Sequence, residues 1–209
     1  MDLVILGAGG HAKDLLYLSQ NDKYNKWNVI GYLDDRITGP EILGPIKNLA
    51  MLQEKYRNLH YTIAVNSSVI RRKIDLELGK PPAAANLVHE SAIIGAKCQY
   101  DDGLTMGPYS VLTIGVTLGR HVHINSGATI NQSSSLGSYC TVSPGARICG
   151  DVTVGDTTAI GAGSIIINVK SVGSDCILGA GTVVIENIDS GSTVVGVPGR
   201  PIKRFGEYI

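Results

Sequence analysis

Residues 118–142 read LGRHVHINSGATINQSSSLGSYCTV, and every sixth position of this stretch, starting at Leu118, carries an apolar side chain. The same period continues without insertion from Ile94 to Val184. A fixed period over so long a stretch indicates stacked repeats, and a period of six is typical of a parallel β-helix. Three hexads make one triangular coil, so we expect about five coils. The sixth residues, and those two places before them, should point inward.

Residues 1–85 show a different pattern. Short apolar runs at 2–6, 27–33 and 61–65 alternate with helical patterns: one around Leu15–Leu18 that ends before Asn21, and others at 47–56 and 69–78. Strands that alternate with helices predict a small, Rossmann-like parallel α/β sheet. We therefore predict two domains, residues 1–85 and 86–209. The period breaks at Asp189, so residues 189–209 should form a loop and a short cap over the last coil.

The composition excludes several classes of protein. The net charge is zero and the isoelectric point is near neutral, so no basic surface indicates a nucleic-acid partner. No apolar stretch is long enough to span a bilayer, and we expect a cytoplasmic protein. Three of the four cysteines, Cys98, Cys140 and Cys176, occupy inward positions of the repeat and are expected to be small buried side chains rather than redox or metal groups.

Two loops of the α/β part could bind an anion or a nucleotide. Gly7-Ala8-Gly9-Gly10-His11 follows the first strand and opens a helix, where free amides and the helix dipole favour a phosphate. Asp34 and Asp35 end the second strand, at the edge where α/β sheets bind ligands. The alternative is structural: a tight turn that needs glycine, and a polar strand end.

Four segments together resemble one family. They are Gly-Ala-Gly-Gly-His, Tyr-Leu-Asp-Asp-Arg, Ala-Val-Asn-Ser-Ser-Val-Ile-Arg-Arg-Lys and, after the repeats, Val-Gly-Val-Pro-Gly-Arg-Pro. The chain resembles the bacterial sialic acid O-acetyltransferases and UDP-amino-sugar N-acetyltransferases over nearly its whole length. The resemblance implies a left-handed β-helix that forms a homotrimer. It also implies a UDP-sugar site in the α/β domain and acetyl-CoA in the groove between adjacent helices, without a metal.

The resemblance also assigns site residues. The loop that meets the phosphates of the sugar nucleotide corresponds to Gly10, His11 and Ala12, and the segment that contacts uracil and ribose corresponds to Asp34, Asp35 and Arg36. Asn66 stands where the family usually has glycine. The contacts to the cofactor correspond to Thr141, Gly150, Ala162 and Ala180.

One position departs from the family pattern. The general base of the family is a histidine, often followed by glutamate, and the gapless repeat places Gln132 and Ser133 there. Glutamine does not accept a proton near neutral pH. Three accounts are therefore open: an amine acceptor that needs no base at Gln132, a substitute base at His123 facing the Gln132 of a neighbouring subunit, or a catalytically silent protein that binds a sugar nucleotide.

The expected function is transfer of acetyl from acetyl-CoA to the amino group of a UDP-linked amino sugar in glycan biosynthesis. Neutral amines attack before they lose a proton, whereas hydroxyls need a base from the outset, so the loss of histidine favours N-acetylation. The alternatives are O-acetylation of sialic acid or another sugar, and binding without turnover. A zinc site at His121 and His123 lacks a third ligand at the required phase.

Overall fold

The computed structural model describes residues 1–204 and 207–208, and the side chains as far as residue 202. A four-stranded parallel sheet with helices on its faces is followed by a triangular prism of short parallel strands. The change from one to the other falls between Ala84 and Leu87. The predicted fold classes of both parts are confirmed. Among the described residues, no helix is both long and apolar enough to cross a membrane.

The N-terminal sheet has the strand order β2-β1-β3-β4, with all neighbours parallel. Strand β3 begins two residues before the predicted position, and β4 lies in the proline–alanine stretch that the sequence left without structure. A 3₁₀ turn, Ile46–Asn48, leads into α2. The elements are β1 Asp2–Leu6, α1 Gly10–Gln20, β2 Asn28–Leu33, α2 Leu49–Lys55, β3 Leu59–Ile63, α3 Ser68–Glu77 and β4 Ala83–Ala84.

The prism has three faces, numbered here in chain order, and strands on one face pair in parallel with a spacing of eighteen residues. Face 1 consists of Leu87–Val88, Thr105–Met106, His123–Ile124, Thr141–Val142, Ala159–Ile160, Ile177–Leu178 and Thr193–Val195. Face 2 consists of Ile93–Ile94, Val111–Leu112, Thr129–Ile130, Arg147–Ile148, Ile165–Ile166 and Val183–Val184. Face 3 consists of Gln99–Tyr100, Thr117–Leu118, Ser135–Leu136, Thr153–Val154 and Ser171–Val172. The three faces together have eighteen strands, or six coils, against the five predicted, because Leu87–Val88 and Thr193–Val195 extend face 1 beyond the period.

The core of the prism follows the predicted period. The sixth residues are buried except Ile94, which is half-buried, and Tyr100, which is exposed at the first coil. The inward positions two places earlier hold mostly small or compact side chains such as Ala128 and Cys140, with Leu104 and Lys170 as exceptions. Each coil thus closes around a few medium-sized aliphatic side chains, and these stack from coil to coil into one continuous core.

The C-terminal segment differs from the predicted loop. Ile177 pairs with Thr193, sixteen residues later, so the predicted break in the period is confirmed. The chain then turns through a cis Val197–Pro198 bond, and Arg200–Arg204 pairs antiparallel with Thr193–Val195. A further strand, Glu207–Tyr208, extends this edge. The cap is therefore a strand pair, because the last edge of face 1 still offers backbone groups that need partners. Residues 205, 206 and 209 lie outside the described part of the predicted cap.

Candidate active site

Helix α3 docks the N-terminal domain on face 1 through Arg71. The Arg71 side chain is fully buried, and burial lowers its pKa to about 10. Its guanidinium donates to the carbonyls of two residues of its own domain, Val65 and Asn66. Across the interface it donates to Thr141 Oγ1 and to the carbonyls of His121, Tyr139 and Cys140. One side chain therefore satisfies backbone groups that the turns of the prism leave open.

Asp75, one helical turn after Arg71, holds a second polar cluster at the same interface. Its carboxylate accepts hydrogen bonds from Arg120 at 2.8 Å, Tyr61 at 2.7 Å, Tyr139 at 2.7 Å and His121 at 3.1 Å. Burial acts to raise the pKa of Asp75, but these donors outweigh it and hold the pKa well below its usual range. Burial also raises the pKa of Tyr139, with Asp75 adding to it, to about 12. The two domains are thus joined by ionised and hydrogen-bonded groups.

His11, at the start of α1, meets His123 of face 1 across the same interface. His11 Nε2 lies 3.3 Å from His123 Nδ1, and His11 Nδ1 lies 3.2 Å from Asp14 Oδ2. The His11 side chain is 8% exposed and Asp14 is 71% exposed. Burial lowers the pKa of His11, although Asp14 acts in the opposite direction. His123 is fully covered, burial sets its pKa well below the usual value, and its Nε2 has no hydrogen-bond partner among the described residues.

A cavity of about 320 Å³ lies between α1 and the turns that join face 1 to face 2. We call these turns corner 1–2; they include Gly107–Ser110, Asn125–Ala128 and Ser143–Ala146. From α1, His11, Asp14, Tyr17 and Leu18 line the cavity, and from the prism Thr105, Pro108, Asn125, Ser126 and Pro144 do so. The predicted cofactor contacts Ala162 and Ala180 are exposed and follow Ser126 and Pro144 on the same corner, at about 4.8 Å per coil. The cavity therefore lies in line with the predicted cofactor groove.

Gln132 and Gly150 lie together on another corner, where face 2 turns into face 3. A Cβ on Gly150 would collide with the Gln132 amide, which lies directly above it. Gln132 is exposed and Gly150 is buried. Within one chain, this corner 2–3 is on a different side of the prism from His123. The structure therefore does not bring the two predicted catalytic positions together within a single subunit.

Thr141, the remaining predicted cofactor contact, lies under the N-terminal domain. Its Oγ1 accepts from Arg71 at 2.9 Å, lies 3.1 Å from Ser68 Oγ and donates to the Asn66 carbonyl at 3.2 Å. The side chain is 6% exposed. In the single chain Thr141 thus contributes to docking of α3. Asn66 takes part through its backbone, while its side chain is exposed.

The two loops predicted to bind the sugar nucleotide are adjacent. Asp34 Oδ2 accepts from the Ala8 amide at 2.8 Å, and its Oδ1 accepts from the amides of Arg36 and Ile37 at 2.8 Å. Burial acts to raise the pKa of Asp34, but these amides lower it overall. Asp35 accepts from the Ile46 amide at 2.9 Å. Both carboxylates therefore shape the loops, a role that the sequence analysis had not given them.

A second cavity, of about 340 Å³, lies between the start of α1 and residues 37–42, which follow the Asp34–Arg36 segment. Ala8, Ala12, Lys13, Tyr32 and Thr38 are among its lining residues. The adjoining amides of Gly10 and His11 begin α1, whose N-cap residue Gly9 provides no side-chain cap. Free amides at a helix start, with a lysine beside them, suit a phosphate group. Of the predicted phosphate residues, Ala12 lines this cavity, whereas Asp34, Asp35 and Arg36 line a neighbouring one of about 320 Å³ that shares Thr38 with it.

Metal binding finds no support in the described part of the chain, where no group of three histidine, cysteine or acidic side chains converges. All four cysteines are free, and Cys140 and Cys176 are buried in the prism. Burial raises the pKa of the Cys140 thiol to about 12, so it is neutral.

Comparisons with known proteins agree with this geometry. The PglD N-terminal domain family matches residues 2–77. The acetyltransferase domain of PglB from Neisseria gonorrhoeae, solved in complex with acetyl coenzyme A, is 29% identical. It superposes with a TM-score of 0.86 and covers 96% of this chain and 98% of its own. PerB from Caulobacter crescentus, solved with CoA and GDP-perosamine, is 25% identical with a TM-score of 0.88, over 96% of this chain and 97% of its own.

The chain is thus similar, over nearly its whole length, to solved sugar acetyltransferases, and its N-terminal part matches the PglD N-terminal domain family. WeeI from Acinetobacter baumannii, 23% identical with a TM-score of 0.79 over 96% of this chain and all of its own, shares the fold. No curated protein sequence gave a significant match. The prediction of the family from its motifs is therefore confirmed.

Several residues of this candidate site were not foreseen from the sequence. Asp14 was missed, although its spacing of three residues from His11 places both on one face of a helix. Asn125 and Ser126 gave no signal of their own, because only the docking of the two domains brings them to the cavity with His11. Lys13, which lines the cavity within the N-terminal domain, also gave none. The sequence predicts a helix at Arg71 and Asp75 but gives neither side chain a role of its own.

Proposed function

We propose that the protein transfers the acetyl group of acetyl-CoA to the amino group of a nucleotide-linked amino sugar, with a UDP-linked sugar as the first candidate. The observation that carries this proposal is the cavity between α1 and corner 1–2. There, His11 and Asp14 of the nucleotide-binding domain face the corner that continues to Ala162 and Ala180. Two substrates bound by different domains would meet at this place.

The relatives support both halves of the reaction. PglB was solved with acetyl coenzyme A, and PerB with CoA and a GDP-linked amino sugar. In this chain, the nucleotide would occupy the cleft between Gly10–Ala12 and Asp34–Arg36. Lys13 would neutralise a phosphate, and the sugar would extend along α1 toward His11. The PerB complex makes a GDP-linked sugar the alternative to a UDP-linked one.

Acetyl-CoA would lie along corner 1–2, where the exposed Ala162 and Ala180 let it approach the backbone. The proposal includes a cytoplasmic homotrimer, in which corner 2–3 of a neighbouring subunit faces this groove. Gln132 would then contribute a hydrogen bond from its amide, and Gly150 a close approach of the backbone. A single chain provides only the corner 1–2 side of this groove, and the neighbouring subunit would provide the other side.

The test is release of free thiol from acetyl-CoA with defined acceptors, followed by mass spectrometry of the acceptor. A UDP-linked 4-amino sugar, GDP-perosamine and free sialic acid distinguish the alternatives. Thiol release with an amino sugar and formation of its N-acetyl product would support the proposal. Release with sialic acid alone would show O-acetylation. Binding of a nucleotide sugar, measured by calorimetry, without thiol release under any condition would show a protein that binds but does not react.

A matched pair of variants tests the location of the site. Ser126→Trp fills the cavity at corner 1–2 and should reduce turnover at least about 100-fold, because a misplaced reactant loses most of the benefit of orientation. Thr117→Trp is the control, because it introduces the same bulky side chain at an exposed position of face 3, away from α1. Equal activity of the two variants would place the reaction elsewhere.

A further inference from the structure

We infer that His11 accepts the proton which the acceptor amine must lose, that Asp14 holds the ammonium group, and that His123 positions the His11 ring. This inference rests on the proposed function and names the groups that carry out its proton transfer. It differs from the expectation drawn from the repeat alone, in which His123 itself served as the base. His11 lines the cavity between the domains, whereas His123 lies behind it and does not.

The first argument is access. An amino sugar in the cavity can reach the His11 ring and the exposed Asp14 carboxylate, which lie 3.2 Å apart. It cannot reach His123, which is 1% exposed and covered by His11. A proton acceptor must come within hydrogen-bond distance of the group that it deprotonates. Among the histidines near the cavity, His11 meets this requirement.

The second argument is that both nitrogens of His11 face a group able to accept a proton. Protonated His11 would donate through Nδ1 to Asp14 and through Nε2 to His123 Nδ1. Burial nevertheless keeps His11 neutral in the resting protein, because it lowers the pKa of the ring. The surroundings thus favour a neutral ring before the reaction and provide partners for the charged ring that the reaction creates.

The role of His123 follows from the two tautomers of the pair. If His123 donates through Nδ1, His11 keeps its proton on Nδ1 toward Asp14 and has no free lone pair in the cavity. If His123 accepts, His11 Nε2 carries the proton and the Nδ1 lone pair faces Asp14. An ammonium group between Asp14 and His11 favours the second tautomer, because it donates to both. The unpartnered, buried Nε2 of His123 has no competing hydrogen bond that would fix either tautomer.

The reaction then balances in protons and electron pairs. The ammonium group of the sugar gives one proton to His11 Nδ1 and becomes a neutral amine. Its lone pair forms the C–N bond with the thioester carbonyl carbon of acetyl-CoA. The C–S bond breaks, and the departing thiolate takes the second proton from the nitrogen. The products are the N-acetyl sugar and CoA thiol, and His11 releases its proton to solvent.

The charged and titratable groups around His11 come from three elements. Asp14 of α1 raises the pKa of His11, while burial and the more distant Arg71 of α3 lower it. His123 of face 1 is itself beside Arg71 and His121. The rate should therefore fall at acidic pH as His11 becomes protonated. Substitution of His11 should remove that dependence and leave only the ionisation of the substrate amine.

The test compares the pH profile of kcat/KM for the wild type and for His11→Gln, whose amide can keep the contact with His123. We expect a loss of about 100-fold or more at neutral pH, with recovery at alkaline pH, where the free amine forms without help. His60→Gln is the control, because His60 lies on β3 beside Trp27 and outside the cavity. A His11→Gln variant with the wild-type rate and profile would overturn the inference.

Positioning by His123 is tested with two variants. His123→Asn retains an acceptor near the place of Nδ1 and should keep most of kcat, whereas His123→Leu should lose at least about 10-fold in kcat and shift the acidic limb of the profile to lower pH. Equal rates and profiles for the Leu and Asn variants would overturn this role. If the wild type releases no thiol with any amino sugar, the proposed function fails and the inference with it. Turnover without a response to His11 overturns the inference alone.

Discussion

The two ends of face 1 have the same backbone but different surroundings. In its first coils the outward residues Thr105, His123 and Thr141 are buried beneath the N-terminal domain. In the later coils Ala159 is half-buried and Ile177 is 53% exposed. The strand spacing and inward side chains do not change along the face. The difference teaches that the repeat builds the scaffold, whereas the docked domain selects which outward residues become part of a site.

The largest loss of stability is expected on substitution of Arg71, the central residue of the interface between the two domains. Arg71→Met leaves several buried carbonyls without a donor, so the free energy of unfolding should fall by about 3–5 kcal/mol. Chemical denaturation measures this loss. Arg72→Met, one residue along on the exposed side of α3, is the matched control and should change stability by less than about 0.5 kcal/mol. Similar losses for both variants would contradict the role given to Arg71.

A smaller effect is expected for the second docking group. Asp75→Asn keeps the size of the side chain but replaces the carboxylate that accepts from Arg120, His121, Tyr61 and Tyr139. Stability should fall by about 2–3 kcal/mol. Glu77→Gln, on the exposed side of the same helix, provides the control. A loss below that of the control would show that the cluster contributes nothing to docking.

Acidification should destabilise the first coils of face 1, which the N-terminal domain covers, before it destabilises the uncovered later coils. The folded protein holds the pKa values of His11, His121 and His123 below their ordinary value, chiefly through burial. The unfolded chain therefore binds more protons below about pH 6.5, so this stability is present above that pH and is lost as the pH falls. The depressed pKa of Asp75 adds stability above about pH 4 that is lost on further acidification.

Unfolding free energies at pH 7.5, 6.5 and 5.5 measure the histidine contribution. The wild type should lose stability over this interval, and His123→Asn should show a shallower dependence because it removes one of the three groups. A stability that stays constant from pH 7.5 to 5.5 would contradict the burial of neutral histidines at the interface.

The smallest effect is expected at the open end. Ile177→Thr, on an uncovered coil of face 1, should change the free energy of unfolding by less than about 0.5 kcal/mol. Thr141→Ile, the converse change at the docked end, removes the hydroxyl that bonds Arg71 and Ser68, and should cost about 1–3 kcal/mol. Equal losses of unfolding free energy for Ile177→Thr and Thr141→Ile would contradict the difference between the uncovered and the covered coils of face 1.

The sequence predicted the fold to a large extent because each hexad specifies its own inward residues. Ile124, Ile130 and Leu136 follow the period and are buried as expected. The same eighteen-residue spacing explains why Gln132 lies against Gly150 in the next coil. The α/β part was predicted almost as well, with α2 and α3 within two residues of their predicted limits and α1 ending before Asn21 as expected.

The site was predicted less completely, because it depends on docking between domains. His123 points outward as the period requires, but the period does not show that α1 covers it. His11 and His123 are separated by more than a hundred residues, and no local pattern joins them. Likewise, the charges of Arg71 and Asp75 look like those of a solvated helix until their partners on the prism are known. Asp34 resembled a ligand contact, yet its carboxylate bonds three backbone amides.

The central claim is that the reaction takes place between the two domains, at His11 and corner 1–2. The most direct measurement is a crystal structure with CoA and a nucleotide-linked 4-amino sugar bound together. The account predicts that the sugar amine lies within about 3.2 Å of His11 Nδ1 or the Asp14 carboxylate, with the CoA sulfur beside Ser126 or Pro144. A sugar amine and sulfur that meet beyond the reach of both His11 and Asp14 would contradict it.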